Sequence, residues 1–126
     1  MRKQYHFKHV GEDVLIFDVD KLVKLSEALP VIEVELSNIS EFDENFWYQS
    51  KGDEPTCKSI CDHYKLVEAA SLDFPIILNA DGTLMDGMHR VCKAYLKGMK
   101  QIKAKRFPTQ PSHDFENRHP DELPYE

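Results

Sequence analysis

Two short runs open the chain, each mixing apolar residues with polar ones in a β-rich pattern. Residues 5–9 and 14–18 flank Gly11-Glu12-Asp13, which predicts a hairpin with a glycine in its loop. Asp18 or Asp20 can cap a helix whose Leu22, Val23, Leu25 and Leu29 fall mostly on one face, and Pro30 ends it. From Val31 to Leu36 apolar and acidic residues alternate as in a strand, with Glu33 and Glu35 on one side. Residues 37–54 have no periodicity, yet they carry Phe42, Phe46, Trp47 and Tyr48. Aromatic surface is costly to leave in water, so this segment is expected to fold over something.

Helical spacing returns with Ile60, Tyr64 and Val67, predicting a helix from Thr56 to about Ser71. Residues 75–79 form a compact apolar strand, Asp81-Gly82 a turn, and Thr83-Leu84-Met85 the return. A third helix is predicted from about Met88 to Lys97, with Val91, Ala94 and Tyr95 inward and Gly98 as its stop. Residues 100–107 alternate as a closing strand. Beyond Pro108 the prolines at 111, 120 and 124 predict an extended segment that packs across the body rather than hanging free. The order predicts the α+β class: a single domain over 1–107, with a small mixed sheet and about three helices. A Pro-rich acidic C-terminal tail, 108–126, follows it.

At 126 residues the chain is one domain in length, with a net charge of −6. No apolar run approaches the roughly 20 residues a membrane span needs. The first residues lack the pattern of a secretory signal, and three cysteines suit a reducing compartment, so the expected location is cytoplasmic. Charge is uneven. Seven basic residues and no acid lie between Arg90 and Arg106, whereas residues 114–126 hold five acids against Arg118. Such a stripe is either a local field for phosphate or a solvated helix face and a lysine-guarded sheet edge.

Candidate chemistry concentrates in Leu84-Met85-Asp86-Gly87-Met88-His89-Arg90, where a strand runs into a helix through one glycine. Amides at a helix N-terminus have no intrahelical partner, and the helix dipole adds positive charge there. Gly87 leaves room for a phosphate to approach the backbone. His89 and Arg90 add side-chain donors on the same turn, and Lys93 adds charge one turn on. Asp86 can cap the helix, orient His89 or hold a divalent cation against a phosphate. Cys57 and Cys61, four apart on one helix face, read as core thiols, as does Cys92; no metal site is assigned. His63 reads as a surface or supporting residue. Trp47 fits a loop anchor filling a core gap, or a lid stacking on a base, the anchor being preferred.

The run Pro75-Ile76-Ile77-Leu78, then Asp81-Gly82, then Asp86-Gly87-Met88-His89-Arg90, then a helix ending at Gly98 and a strand, resembles the core of the ParB/sulfiredoxin-like superfamily. The resemblance extends over about residues 56–107, with a weaker match at 31–39. Asp86-Gly87-Met88-His89-Arg90 is similar to the motif of free-serine kinases, and Gly87-Met88-His89-Arg90 to the sulfiredoxin motif. Small bacterial ParB-like proteins resemble the chain further, in an aromatic loop and an end like Leu123-Pro124-Tyr125. The resemblance implies a fold in which this helix N-terminus holds nucleotide phosphates. Met88 stands where sulfiredoxin has its catalytic cysteine, and a thioether cannot do that chemistry. Partition proteins continue into DNA-binding and dimerisation domains that this chain does not reach. The serine kinases use a glutamate, for which Glu33, Glu35, Glu41 and Glu44 are candidates by location.

The expectation is therefore a protein that binds ATP or another nucleotide with Mg²⁺, or a phosphorylated small molecule. Gly87, Met88, His89, Arg90 and Lys93 would bind, and Asp86 and His89 would serve catalysis. The reaction class would be that of a kinase or phosphohydrolase. Two alternatives stand beside it: a DNA-associated module or nuclease using the 90–106 stripe, and a non-catalytic protein-interaction module. Oligomeric state has no signature in the sequence.

Overall fold

A computed structural model describes residues 3–125. Strands β1 (Tyr5–Val10) and β2 (Asp13–Asp18) form the predicted hairpin, with Gly11 at a positive φ in its turn. The Asp18 side chain accepts the Asp20 N–H and starts α1 (Val19–Ser26). Next come β3 (Ile32–Glu35) and two 3₁₀ turns, Leu36–Asn38 and Ser40–Asp43. After the aromatic loop, the Thr56 hydroxyl accepts the Ser59 N–H to cap α2 (Cys57–Ala69). Then follow β4 (Ile76–Leu78), β5 (Leu84–Asp86), α3 (Met88–Leu96), β6 (Gln101–Arg106) and the short β7 (Phe115–Glu116).

The strands make two sheets rather than one. A mixed four-stranded sheet runs β3-β6-β4-β5, with β4 and β6 parallel and the outer pairs antiparallel. The hairpin builds a separate antiparallel sheet, β1-β2-β7, closed by the tail. Side chains of a strand alternate between faces, and the core divides accordingly. Ile76, Leu78, Leu84, Ile102 and Ala104 face Met88, Val91 and Ala94 of α3, together with Leu36 and Ile39. Ile77 and Met85 point the other way, to Phe17, Leu22 of α1 and Phe107.

Several sequence expectations are corrected at this level. α1 stops at Ser26, before Pro30, and its buried residues are Val19, Leu22 and Ser26, while Val23 and Leu25 are exposed. On α2 only Val67 is buried; Ile60 and Tyr64 are 52% and 53% exposed. Tyr95 is 60% exposed, although its ring meets Phe42 edge-on at 5.1 Å. Cys57 and Cys61 lie on the surface instead of in the core, and Cys92 is half-buried.

The tail is part of the body. Its β7 pairs with β2, Leu123 is buried, and Asp114 accepts the Asp18 N–H at 2.8 Å and the Lys21 ammonium at 2.7 Å. Tyr5 donates its hydroxyl to the Pro124 carbonyl and meets Tyr125 edge-on. Among the described residues no helix is long and apolar enough to cross a membrane.

Candidate functional site

Gly87 joins β5 to α3 at φ +120°, a conformation that side-chain-bearing residues rarely adopt. A Cβ there would lie 2.6 Å from Ile76 Cγ2, so close packing on β4 accounts for the glycine without any ligand. It also leaves α3 with no capping side chain, so Asp86 is not a helix cap. The first intrahelical bond runs from Val91 N–H to the Gly87 carbonyl. The amides of Met88, His89 and Arg90 precede it at the positive end of the dipole. The Met88 side chain is buried in the core, so only its backbone can meet a ligand.

Arg90 is held by its own protein. Its Nη1 donates to the carbonyls of Phe74 at 3.0 Å and Pro75 at 2.6 Å, and its Nη2 to Asp86 Oδ2 at 2.7 Å. The side chain fastens the segment before β4 and the end of β5 to α3, a bracing role rather than the open phosphate fork predicted. Lys93 likewise donates to the Glu68 and Ala70 carbonyls at 2.7 and 2.6 Å, where the end of α2 leaves carbonyls without helical partners. These bonds use three of the five Arg90 N–H groups and two of the three on Lys93. Of the remaining stripe, Lys105 reaches the Ser26 carbonyl and Arg106 the Ala80 carbonyl. Four of the seven cations are thus braces, which leaves their charge in place but takes up donors that a DNA backbone would otherwise meet.

His89 projects to a partner on α2. Its Nε2 lies 2.9 Å from His63 Nδ1. The ring centroids are 5.2 Å apart and the planes 25° from parallel. A 2.9 Å nitrogen contact leaves little more than the two ring radii in that separation, so the imidazoles meet end to end, nearly coplanar. Trp47 lies flat over both, 4.1 Å from His63 and 4.8 Å from His89, at 15° and 18°. Tyr48 meets His63 edge-on and accepts a hydrogen bond from the Ser59 hydroxyl at 3.1 Å, pinning the loop to α2. The sequence offers both a base-stacking lid and an anchor for Trp47; in the fold its ring stacks on two histidines.

Burial pushes the His89 imidazole down to about 4, and the neighbouring His63 and Arg90 act in the same direction. His63 is lowered too, chiefly by burial, against the pull of Asp62 and Asp53. Both shifts favour the neutral ring, and in a neutral pair one ring donates and the other accepts.

The remaining candidates divide. Asp86 belongs to the corner, with one carboxylate oxygen on Arg90. Glu41 accepts the Leu84 N–H at 3.1 Å, tying the loop to β5 two residues before Asp86, and Glu35 bonds Gln101. Two surface grooves lie elsewhere: one of about 420 Å³ among Leu36, Phe42, Tyr95 and Met99, and one of about 250 Å³ beside Glu33, Gln101 and Arg106. Neither is lined by residues 86–90. Among the described residues, no group of three or more His, Cys, Asp or Glu side chains is placed to hold a metal ion. The sequence reads His63 as a surface or supporting residue, and what it does not reveal is the contact with His89. The two residues are 26 positions apart on different helices, and no local pattern encodes that meeting.

Comparison with protein-family models, with curated proteins and with solved structures finds no match for this chain.

Proposed function

We propose that this chain binds a nucleotide or another phosphorylated metabolite where β5 turns into α3, and that the site serves phosphoryl transfer. The observation that carries the reading is the company kept by the first turn of α3. Amides without intrahelical partners, a neutral His89 and the flat ring of Trp47 meet at one corner. Such amides favour an anion, and a planar ring beside them suits a ligand that joins phosphate to a flat base. Arg90 and Lys93 attract phosphate through their charge and hold the corner in shape. This is the same turn to which the ParB/sulfiredoxin-like resemblance assigns nucleotide phosphates.

A Mg²⁺ ion arriving with the phosphates requires only one or two protein carboxylates. Asp86 suits that requirement, since one of its oxygens makes no hydrogen bond among the described residues. Phosphoryl transfer asks a protein mainly to position groups and stabilise charge. The free thiols fit a reducing cytoplasm.

Calorimetric titration with Mg-ATP, Mg-ADP and Mg-CTP tests the reading. Saturable binding to the wild type, weakened about tenfold or more in His89→Ala, is expected. A folded wild type that binds none of the three overturns it.

A further inference from the structure

We propose that His63 and His89 act as one proton relay, taking the proton of an alcohol or water O–H at His89 and releasing it to solvent from His63. This assigns a catalytic role to His63 and names the acceptor class, a hydroxyl group; it rests on the phosphoryl-transfer reading of the same corner.

The geometry supplies the path. The bridge uses His89 Nε2 and His63 Nδ1, leaving His89 Nδ1 and His63 Nε2 as the outer ends of the pair. Neither outer nitrogen has a hydrogen-bond partner among the described residues. A neutral pair carries two ring protons, one in the bridge and one on an outer nitrogen. One end is therefore an acceptor and the other a donor.

With His89 Nε2–H donating to His63 Nδ1, the lone pair of His89 Nδ1 accepts the proton from the hydroxyl as that O–H bond breaks. The bridging proton crosses from His89 Nε2 to His63 Nδ1, and the His63 Nε2 proton passes to water. The hydroxyl oxygen keeps its electron pair, water becomes hydronium, and both imidazoles end neutral with their tautomers exchanged. The starting tautomers return when His63 Nε2 takes a proton from hydronium, the bridging proton crosses back to His89 Nε2, and His89 Nδ1 gives its proton to an oxygen of the product or to water.

The environment explains why two rings serve better than one. His89 faces Arg90 from its own helix, while Asp62 on α2 and Asp53 in the aromatic loop act on His63. Burial and the Arg90 charge disfavour an imidazolium at His89, so alone it is a weak base at neutral pH. A relay leaves no net charge behind in the buried ring. Trp47, stacked over both imidazoles, holds them nearly coplanar and covers one face of the bridge.

Nitrogen-15 NMR of histidine-labelled wild type at pH 7.5 reads the relay directly. The expected result is that the ring nitrogens of both histidines resonate between the protonated and unprotonated limits, as interconverting tautomers do. On acidification the first proton taken up should shift the ring nitrogens of both histidines together, because the hydrogen-bonded pair shares it. In His63→Gln, whose amide keeps a hydrogen bond but cannot pass a proton, His89 should lock into one tautomer.

A wild type with each neutral ring in one fixed tautomer, or one in which the first proton taken up shifts the nitrogens of a single ring, overturns the relay. So does an unchanged His89 in a folded His63→Gln. These readouts need no nucleotide. Exchanging tautomers in a protein that binds no nucleotide overturn the phosphate reading alone; nucleotide binding over fixed tautomers overturns the relay alone.

Discussion

At Gly87 one missing carbon decides how β5 passes into α3. The residue sits at φ +120°, and the space a Cβ would take belongs to Ile76, itself fully buried. Strain and overpacking add at such a position. Gly87→Ala is therefore expected to cost about 2–5 kcal/mol in urea unfolding; a loss below about 1 kcal/mol would show that the corner is more yielding than its geometry implies. Arg90 and Lys93 carry the same lesson. Their types and spacing read as phosphate ligands, but their donors end on carbonyls of the segments around them. Residue type gives the charge, whereas the partner depends on what the fold brings within reach.

At the scale of elements, most of the chain was legible because local rules were enough. Asp18 and Thr56 cap their helices as their side chains predict, and the glycines at 11, 82 and 98 all sit at positive φ near the turns or stops assigned to them. Helix faces were less legible. Ile60, Tyr64 and Tyr95 keep the right spacing but stay exposed, since periodicity gives a stripe without saying what covers it. The division into two sheets was not legible at all. The hairpin takes its third strand from β7, two residues long and about a hundred residues away, and pairs with no strand of the four-stranded sheet. Leu123, buried beyond β7, extends that closure. Leu123→Ala should lower unfolding stability by about 2 kcal/mol or more; a change under about 0.5 kcal/mol would mean that the tail adds little to the body.

At the scale of the whole molecule, an acidic chain of net charge −6 gathers Arg90 and Lys93 behind one helix N-terminus. Three separate stretches build that corner: the aromatic loop supplies Trp47, α2 supplies His63, and the β5–α3 junction supplies Asp86 through Arg90. Only the last was readable as a site in the sequence, because only there do the residues adjoin. The larger groove, lined by Leu36, Tyr95 and Met99, is the competing location for a ligand. Amide chemical-shift mapping of the wild type during titration with Mg-ATP compares the two directly. The largest shifts are predicted at Gly87 to Arg90, together with the Trp47 indole N–H. Shifts confined to the Leu36–Tyr95–Met99 groove, with residues 87–90 unmoved, would contradict the account.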